Sequence, residues 1–170
     1  MKNEELRLQE SRETMKNNSF CRKTYAIISL LIAGILVIGQ TGFADSVMDL
    51  QKLQQTKQCQ NCDLSDDDFS GENLSGIDLT GADLTDANLS SANMSFITLR
   101  DAKLTGANLS KTDLTNADLS GADLTKANLS GANLTNANVD GADLTDADLS
   151  GAVWTDGNRC QDGSSGDCLK

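Results

Sequence analysis

The sequence predicts an all-β solenoid, and three observations along residues 62–156 support that fold class. An apolar residue occupies every fifth position from Leu64 to Trp154, nineteen times without a break, and fifteen of these residues are Leu. Ala is the commonest residue two positions earlier, and Asp or Asn usually stands between the two. Gly often separates neighbouring repeats, as at Gly76 and Gly106. The consensus A-(D/N)-L-(S/T)-x is a short internal repeat, which takes precedence over local propensity.

The period of five excludes the two simpler regular structures. On an α-helix, five residues turn through about 500°, so the Leu side chains would spiral around the axis. On a flat strand, an odd period would place successive Leu residues on opposite faces. An extended segment with Ala and Leu inside, followed by a corner of two outward residues, avoids both problems. Gly suits such a corner because it adopts backbone dihedrals that other residues avoid.

The predicted core consists of the central repeat positions. Members of this set are Leu64, Phe69, Leu74, Leu79, Leu84, Leu89, Leu104, Leu124 and Trp154.

On these repeats, the chain resembles the pentapeptide-repeat family. The resemblance covers residues 62–156 and implies a right-handed, four-sided parallel β-helix with one pentapeptide on each side. Nineteen repeats then make just under five coils. At a strand spacing of about 4.8 Å, the rod is roughly 23 Å long. A stacked column of this kind needs a cap at each open end.

The segments on either side of the repeats supply candidate caps. Residues 45–61 are predicted to be an N-terminal capping helix and linker. The helix itself is expected over 46–56, because a Ser-Val-Met-Asp segment resembles a capping box and apolar residues share one helical face. At the other end, the Trp154 ring can cover the apolar column. Residues 157–170 are predicted to be an irregular tail that contains Cys.

The first 44 residues are predicted to be a secretory signal peptide. Arg22 and Lys23 precede an almost continuous apolar run over 26–39, and small residues lead to a cleavage site after Ala44. The run is shorter than the roughly 20 residues of a membrane span, although an uncleaved membrane anchor is the alternative. Met15 is the preferred start, because the segment after it is basic and lacks acids. The predicted location of the exported protein is the bacterial periplasm or the exterior, or the thylakoid lumen if the source is cyanobacterial.

Four Cys residues remain in the mature chain, as a pair at each end of the expected rod. They are Cys59, Cys62, Cys160 and Cys168. Their spacing superficially resembles a zinc site, but the ends of the rod are too far apart for one site. Disulfide-bonded Cα atoms lie within about 7 Å, so we predict one bond within each pair in an oxidising compartment. A redox-active CxxC is the alternative for the first pair.

The acidic charge is concentrated in the repeats. The whole chain has a formal charge of −11, and residues 45–170 carry −13. Every fourth repeat shares a side, and the side centred on Leu64, Leu84, Leu104, Leu124 and Leu144 is the most acidic at −5. We call this side the acidic wall, and its acids are Asp63, Asp66, Asp83, Asp86, Asp123, Asp143 and Asp146. It is interpreted as a solubilising surface, with a surface for a basic partner or for Ca²⁺ as the alternative.

Phe96 and Arg100 depart from the consensus. Phe96 occupies a corner position where Gly, Asn or Asp usually stands, and Arg100 replaces Ser or Thr. An exposed aromatic side chain beside an Arg is typical of residues that anchor an interface. Phe96 and Arg100 are therefore the candidate contact residues, although single exposed aromatic residues are also common.

The composition excludes several classes of function. An acidic chain lacks the basic face that nucleic-acid binding requires. It has no His, which is the commonest general base and metal ligand. No catalytic, cofactor or metal residue is predicted. We therefore expect an exported, non-enzymatic structural or binding module whose protein partner is unknown. The resemblance implies an alternative, a DNA-mimicking rod that binds DNA gyrase, which the signal peptide disfavours.

Overall fold

Parallel bridges between residues twenty positions apart build the fold. The computed structural model describes Thr56 and residues 58–169. Gln58 pairs with Asp78, and the same register continues to the pair of Asn133 and Val153. Four ladders of such bridges run along the chain, and each ladder passes through five residues. Each bridge joins one residue of a coil to the equivalent residue of the next coil, so each side of a coil contributes a single bridged residue. Residues 58–153 therefore form a parallel β-solenoid.

Backbone hydrogen bonds between coils hold each side in register. The central residue of a repeat donates its N–H to the next coil, as from Leu64 to the carbonyl of Asp83 at 2.8 Å. The bridged residue of that next coil donates back, from Asp83 to the carbonyl of Cys62 at 2.8 Å. A coil therefore satisfies its polar backbone only when another coil lies on each side of it.

The corners need a residue with a left-handed backbone. The φ angle is +68° at Gly76, +70° at Gly106 and +58° at Asn116. This region is open to Gly and tolerated by Asn and Asp, but it brings the Cβ of other residues close to a carbonyl oxygen. The frequency of Gly, Asn and Asp at the last position of the repeat follows from this requirement.

The Asp or Asn of each repeat closes the following corner with its own side chain. Asp78 Oδ1 accepts the backbone N–H of Thr80 at 3.0 Å and the Thr80 hydroxyl at 2.6 Å. Asn128 Oδ1 accepts the same two groups from Ser130, at 3.0 and 2.7 Å. Because carboxylate and amide oxygens both accept, Asp and Asn are interchangeable here, and Ser or Thr supplies the hydroxyl.

The core is a column of the central residues and the small residues two positions earlier. The predicted central residues from the first to the fourth coil are all buried: Leu64, Phe69, Leu74, Leu79, Leu84, Leu89, Leu104 and Leu124. Ile77 and Ile97 replace Ala in consecutive coils and are also buried. Thr112 is a polar residue in the same set of positions, and its hydroxyl donates to the carbonyl of Leu89 at 2.7 Å.

The solenoid begins before residue 62, the start that the repeat pattern predicts. Gln58 already makes a bridge, and Asn61 has the positive φ of a corner. Cys59 takes the place of a central Leu, and Cys62 takes the place of an inward Ala. The series of central residues therefore begins at Cys59, five residues before Leu64, if Cys is counted as an apolar residue.

The tail after residue 157 is only partly irregular, which corrects the prediction. Ser165 and Arg159 make antiparallel bridges with Asp148 and Val153 of the last coil. Leu149 donates its N–H to the carbonyl of Ser164 at 2.9 Å. Trp154 is half-buried and does not close the column by itself, because the returning tail covers this part of the end.

The predicted signal peptide over 1–44 lies outside the described residues. The predicted capping helix over 46–56 also lies outside them, apart from Thr56. In the part of the chain that the structure describes, no helix has the length and apolar character of a membrane span.

Candidate binding surface

Phe96 is the most exposed large apolar side chain among the described residues. It stands at a corner, and 65% of its surface is exposed. Its φ is +57°, although Phe is not one of the residues that tolerate this region well. The corner is held by a hydrogen bond from the Phe96 N–H to the carbonyl of Thr115 at 2.9 Å. Neighbouring coils thus fix the backbone in a conformation that presents the ring to solvent.

Arg100 lies at the other corner of the same side of the coil and is also exposed. Thr98 lies between the two corners and bridges Asp78 in the coil before and Asp118 in the coil after. We call this side, residues 76–80, 96–100, 116–120 and 136–140, the Phe96 wall. Arg100 is the one basic residue in these segments. The wall therefore combines an apolar ring and a cation on an otherwise acidic surface.

The acidic wall is assembled by one of the four ladders. Asp63, Asp83, Lys103, Asp123 and Asp143 follow one another through parallel bridges. Asp66, Asp86 and Asp146 occupy corners of the same side and share the positive φ. The structure therefore brings the predicted acids together along one side of the solenoid.

Hydrogen bonds and a cation stabilise the carboxylate form of several of these acids. The Thr125 hydroxyl is the main cause that lowers the pKa of Asp123, with help from the Thr125 N–H and the Thr105 hydroxyl. Partial burial is the largest influence on Asp83 and raises its pKa, but hydrogen bonds from Thr85 and the charge of Lys103 bring the net pKa below its usual value. Lys103 Nζ lies 3.2 Å from Asp83 Oδ2.

The acidic wall does not form a cation site in the described part of the chain. No group of three or more Asp, Glu or Cys side chains there is arranged to hold a metal ion. The bridged Asp residues of this wall instead aim one carboxylate oxygen at the following corner, as Asp63 does towards Ser65. The structure thus gives the alternative of a Ca²⁺ site no support.

Both predicted Cys pairs lie at disulfide distance. The Cα atoms are 5.3 Å apart in Cys59 and Cys62, and 5.0 Å apart in Cys160 and Cys168. Cys59 and Cys62 are 0% and 2% exposed, so they lie inside the first coil. A redox-active cysteine needs access for an attacking thiol, and this pair lacks it.

The cap at the C-terminal end was missed by reasoning from sequence. The Arg159 guanidinium donates to the carbonyl of Gly151 at 2.8 Å, and the Cys160 N–H donates to the carbonyl of Ala152 at 2.8 Å. Ser164 is 1% exposed, and its hydroxyl donates to the carbonyl of Gln161. The tail lacks the period of five, so only the Cys pair indicated that it is ordered.

A parallel β-solenoid with a filled core and its variable groups on the outer walls is a repeat scaffold. Its repeats match the family model of pentapeptide repeats, with 8 copies over residues 58–95, 92–131 and 112–151. The chain belongs to the pentapeptide repeat family. Proteins of this family are generally structural or binding proteins rather than enzymes.

The solved structures similar to this chain include three pentapeptide repeat proteins. HetL, which is involved in heterocyst differentiation regulation in the cyanobacterium Nostoc sp. strain PCC 7120, is 37% identical with a TM-score of 0.54. The match covers 60% of this chain and 51% of HetL, so the chain spans about half the length of HetL. This likeness implies a right-handed β-helix solenoid.

The other two structures come from a cyanobacterium and a plant. Rfr23 from Cyanothece 51142 is 35% identical, with a TM-score of 0.39 over 62% of this chain and 82% of Rfr23. A pentapeptide repeat protein of the Arabidopsis thaliana thylakoid lumen is 33% identical, with a TM-score of 0.45. The match covers 67% of this chain and 86% of the Arabidopsis chain. Among curated proteins, no significant match is found.

Proposed function

We propose that this protein is an exported, non-enzymatic pentapeptide-repeat module of just under five coils that binds a protein partner through the Phe96 wall. The observation that carries the proposal is the exposure of Phe96, 65% of whose surface faces solvent at a corner with positive φ. The partner is a protein rather than a nucleic acid, because the repeats carry a strongly negative charge.

The energetics of Phe96 favour a role in binding over a role in folding. An exposed Phe contributes little to the core, and a non-Gly residue in the left-handed region costs about 1–2 kcal/mol. Transfer of a Phe side chain from water into an interface recovers about 1.5–3 kcal/mol. A residue that lowers the stability of the free protein but contributes favourable free energy when a partner covers it is typical of a contact site.

Arg100 supplies the polar half of the contact. Its backbone is fixed by the hydrogen bond that its carbonyl accepts from Gly81 at 2.8 Å, while its side chain is exposed. A guanidinium presents several donors in one plane and suits a carboxylate or an aromatic ring. Together, an aromatic ring and a guanidinium on one wall match the composition of interface anchors.

Export of the protein is supported by the sequence of residues 1–44. A basic segment, an apolar run and small residues before Ala44 have the order of a signal peptide. Two Cys pairs at disulfide distance agree with an oxidising compartment. We propose cleavage after Ala44, which leaves a mature module without a membrane segment.

A pull-down with matched variants tests the contact site. The full chain is expressed with a C-terminal tag, and proteins retained from the exported fraction are identified by mass spectrometry. The test variant carries Phe96→Ala and Arg100→Ala. The control carries Asn116→Ala and Ser120→Ala, which are the same two positions one coil later.

The expected result is a partner that is retained by the wild type and by the control. The amount retained by the test variant should be at least about tenfold lower, as for hot-spot residues. Circular dichroism shows whether each variant keeps its fold. A partner retained equally by a folded test variant would overturn the proposed contact site.

A further inference from the structure

The tail covers only half of the last coil. On the covered half, Leu149 and Ala152 are fully buried beneath the tail. On the other half, Val139, Ala142 and Leu144 are half-buried. Their counterparts one coil earlier, Leu119, Ala122 and Leu124, are 0%, 1% and 0% exposed. The apolar column therefore ends in an uncovered edge over residues 137–144.

The uncovered edge carries backbone groups whose counterparts one coil earlier are paired. In earlier coils, each central residue donates its N–H to the next coil, as Leu124 does to Asp143 at 2.7 Å. Within the described residues, the N–H groups of Val139, Gly141 and Leu144 have no hydrogen-bond acceptor. The carbonyls of Ala137 and Ala142 similarly have no donor among the described residues. An extended segment laid along this edge can satisfy all five groups.

The charges around this edge decide between possible occupants. Asp140, Asp143 and Asp146 are all exposed on its outer side. The pKa of Asp143 is lowered overall, chiefly by the Thr145 hydroxyl, while the negative charge of Asp123 in the coil before acts in the opposite direction. A second copy joined at the same edge would bring two such acidic groups together, which is unfavourable. A segment with Lys or Arg side chains would be attracted instead.

We propose that the edge over residues 137–144 binds an extended, basic segment of a partner protein, which adds to the β-helix as a further strand. The partner backbone accepts from Val139, Gly141 and Leu144 and donates to Ala137 and Ala142. Its small apolar side chains cover Val139 and Leu144, and its basic side chains pair with the surrounding Asp residues. This inference rests on the proposed role in protein binding, but the contact is made by the backbone at the end of the solenoid and not by the side chains of Phe96 and Arg100.

Amide hydrogen exchange on the full chain measures this contact directly. The probe is a short synthetic peptide of alternating Val and Lys, and the comparison peptide alternates Val and Glu. In the free protein, the amides of Val139, Gly141 and Leu144 exchange quickly, whereas that of Leu149 is protected by the tail. The Lys peptide is expected to slow exchange at Val139, Gly141 and Leu144 by at least about tenfold, and the Glu peptide to leave it unchanged.

Charge-neutral variants separate the electrostatic part of binding. Replacement by Asn keeps the acceptor oxygen and removes the charge. The edge variant combines Asp140→Asn, Asp143→Asn and Asp146→Asn, and the control combines Asp86→Asn, Asp101→Asn and Asp113→Asn. The edge variant is expected to bind the Lys peptide about tenfold more weakly at low salt, and the control to bind like the wild type.

Three outcomes would overturn the inference. The first is no added protection with the Lys peptide, and the second is equal protection with the Glu peptide. The third is slow exchange at Val139 and Leu144 in the free protein together with a doubled mass in light scattering, because a second copy would then occupy the edge. The variant Phe96→Ala with Arg100→Ala is expected to bind the peptide normally, so failure of the proposed contact site is distinguishable from failure here.

Discussion

At the scale of single residues, the geometry of each corner determines which residues the repeat contains. Asp or Asn is needed because its side-chain oxygen accepts the N–H two residues later, as Asp118 does from Ser120 at 3.1 Å. The residue after Ser or Thr must adopt a positive φ, which favours Gly, Asn and Asp. Phe96 meets the second requirement poorly, so its presence is better explained by an external contact than by the stability of the coil.

Replacement of Phe96 by Asn should stabilise the free protein. Asn occupies the same corner in the next coil, Asn116, with φ of +58°. Phe96→Asn is expected to raise the free energy of unfolding by about 0.5–1 kcal/mol, because Asn tolerates the left-handed region. The reverse change, Asn116→Phe, should lower it by about 1 kcal/mol. Urea denaturation measures both, and a loss of stability in Phe96→Asn would contradict the exposed role of the ring.

The corner carboxylates also predict a dependence of stability on acid. The pKa of Asp123 is lowered in the folded protein, chiefly by the Thr125 hydroxyl, and the pKa of Asp148 is lowered chiefly by the Ser150 hydroxyl. A lowered folded pKa stabilises the fold above the unfolded pKa of about 3.9, and this contribution is lost as pH falls through the folded pKa. The melting temperature should therefore fall as the pH is lowered from 5 to 3.

Reciprocal substitutions at equivalent corners test whether these carboxylates cause the loss of stability in acid. Asp123→Asn keeps the acceptor oxygen without a titrating group, so the melting temperature should fall less steeply with acid. Asn128→Asp introduces a carboxylate into the same turn to Ser130, so the fall should be steeper. Thermal melts followed by circular dichroism at several pH values measure the difference. Identical acid dependence in all three proteins would show that these turns do not control it.

At the scale of the elements, each coil depends on the coils on both sides of it. An inner coil has its apolar residues fully covered and its N–H groups paired with the next coil. The last coil is covered on one half by the disulfide-closed tail and left open on the other. The local stability of the solenoid should therefore decrease towards residues 137–144.

Truncation of equivalent Leu residues should show this gradient. Leu104 is 0% exposed in an inner coil, whereas Leu144 is half-buried on the same wall two coils later. Leu104→Ala is expected to cost about 3 kcal/mol, and Leu144→Ala about 1 kcal/mol, because less buried surface and a smaller cavity are involved. Denaturant unfolding measures both variants. Equal costs would mean that the open edge is covered in solution.

Loss of the Cys160–Cys168 bond should release the C-terminal cap. The bond joins residues eight positions apart, and its removal by Cys160→Ser and Cys168→Ser is expected to cost about 2–3 kcal/mol. The amides of Leu149 and Trp154, which donate to the tail, should then exchange faster. The matched control, Cys59→Ser with Cys62→Ser, should leave these two amides unchanged. Unchanged exchange in the test variant would show that the tail stays in place without its disulfide.

At the scale of the whole molecule, the solenoid displays different chemistry on its different sides. One wall carries more negative charge than any other, another carries Phe96 and Arg100, and one end has an open edge. Proteins of this family are generally structural or binding proteins, which agrees with a scaffold role. Partner specificity should therefore change with surface substitutions that leave the repeat intact.

Export predicts the N-terminus of the mature protein. When the full chain is produced in a bacterial host with a secretion pathway, N-terminal sequencing of the exported form should begin at Asp45. A full-length protein retained in the membrane fraction would show that residues 26–39 act as an anchor. A full-length protein in the cytoplasm would contradict export and favour the DNA-mimicking alternative.

The sequence alone determined the solenoid, because the period of five is incompatible with a helix or a flat strand and requires a corner in each repeat. Central residues such as Leu84 and Leu104 and the columns of Asp residues follow from that period by arithmetic. The early start at Gln58 and the ordered tail did not follow, since Cys59 departs from the larger apolar residues of the central position and the tail has no repeat.

Only the tertiary structure decided how the solenoid ends and which exposed groups are unpaired. The fold of the tail over Leu149, rather than over Val139, depends on antiparallel bridges that no local pattern encodes. Short-range periodicity determines contacts that are repeated in every coil. Contacts made once, between segments without a repeat, depend on the three-dimensional path of the chain.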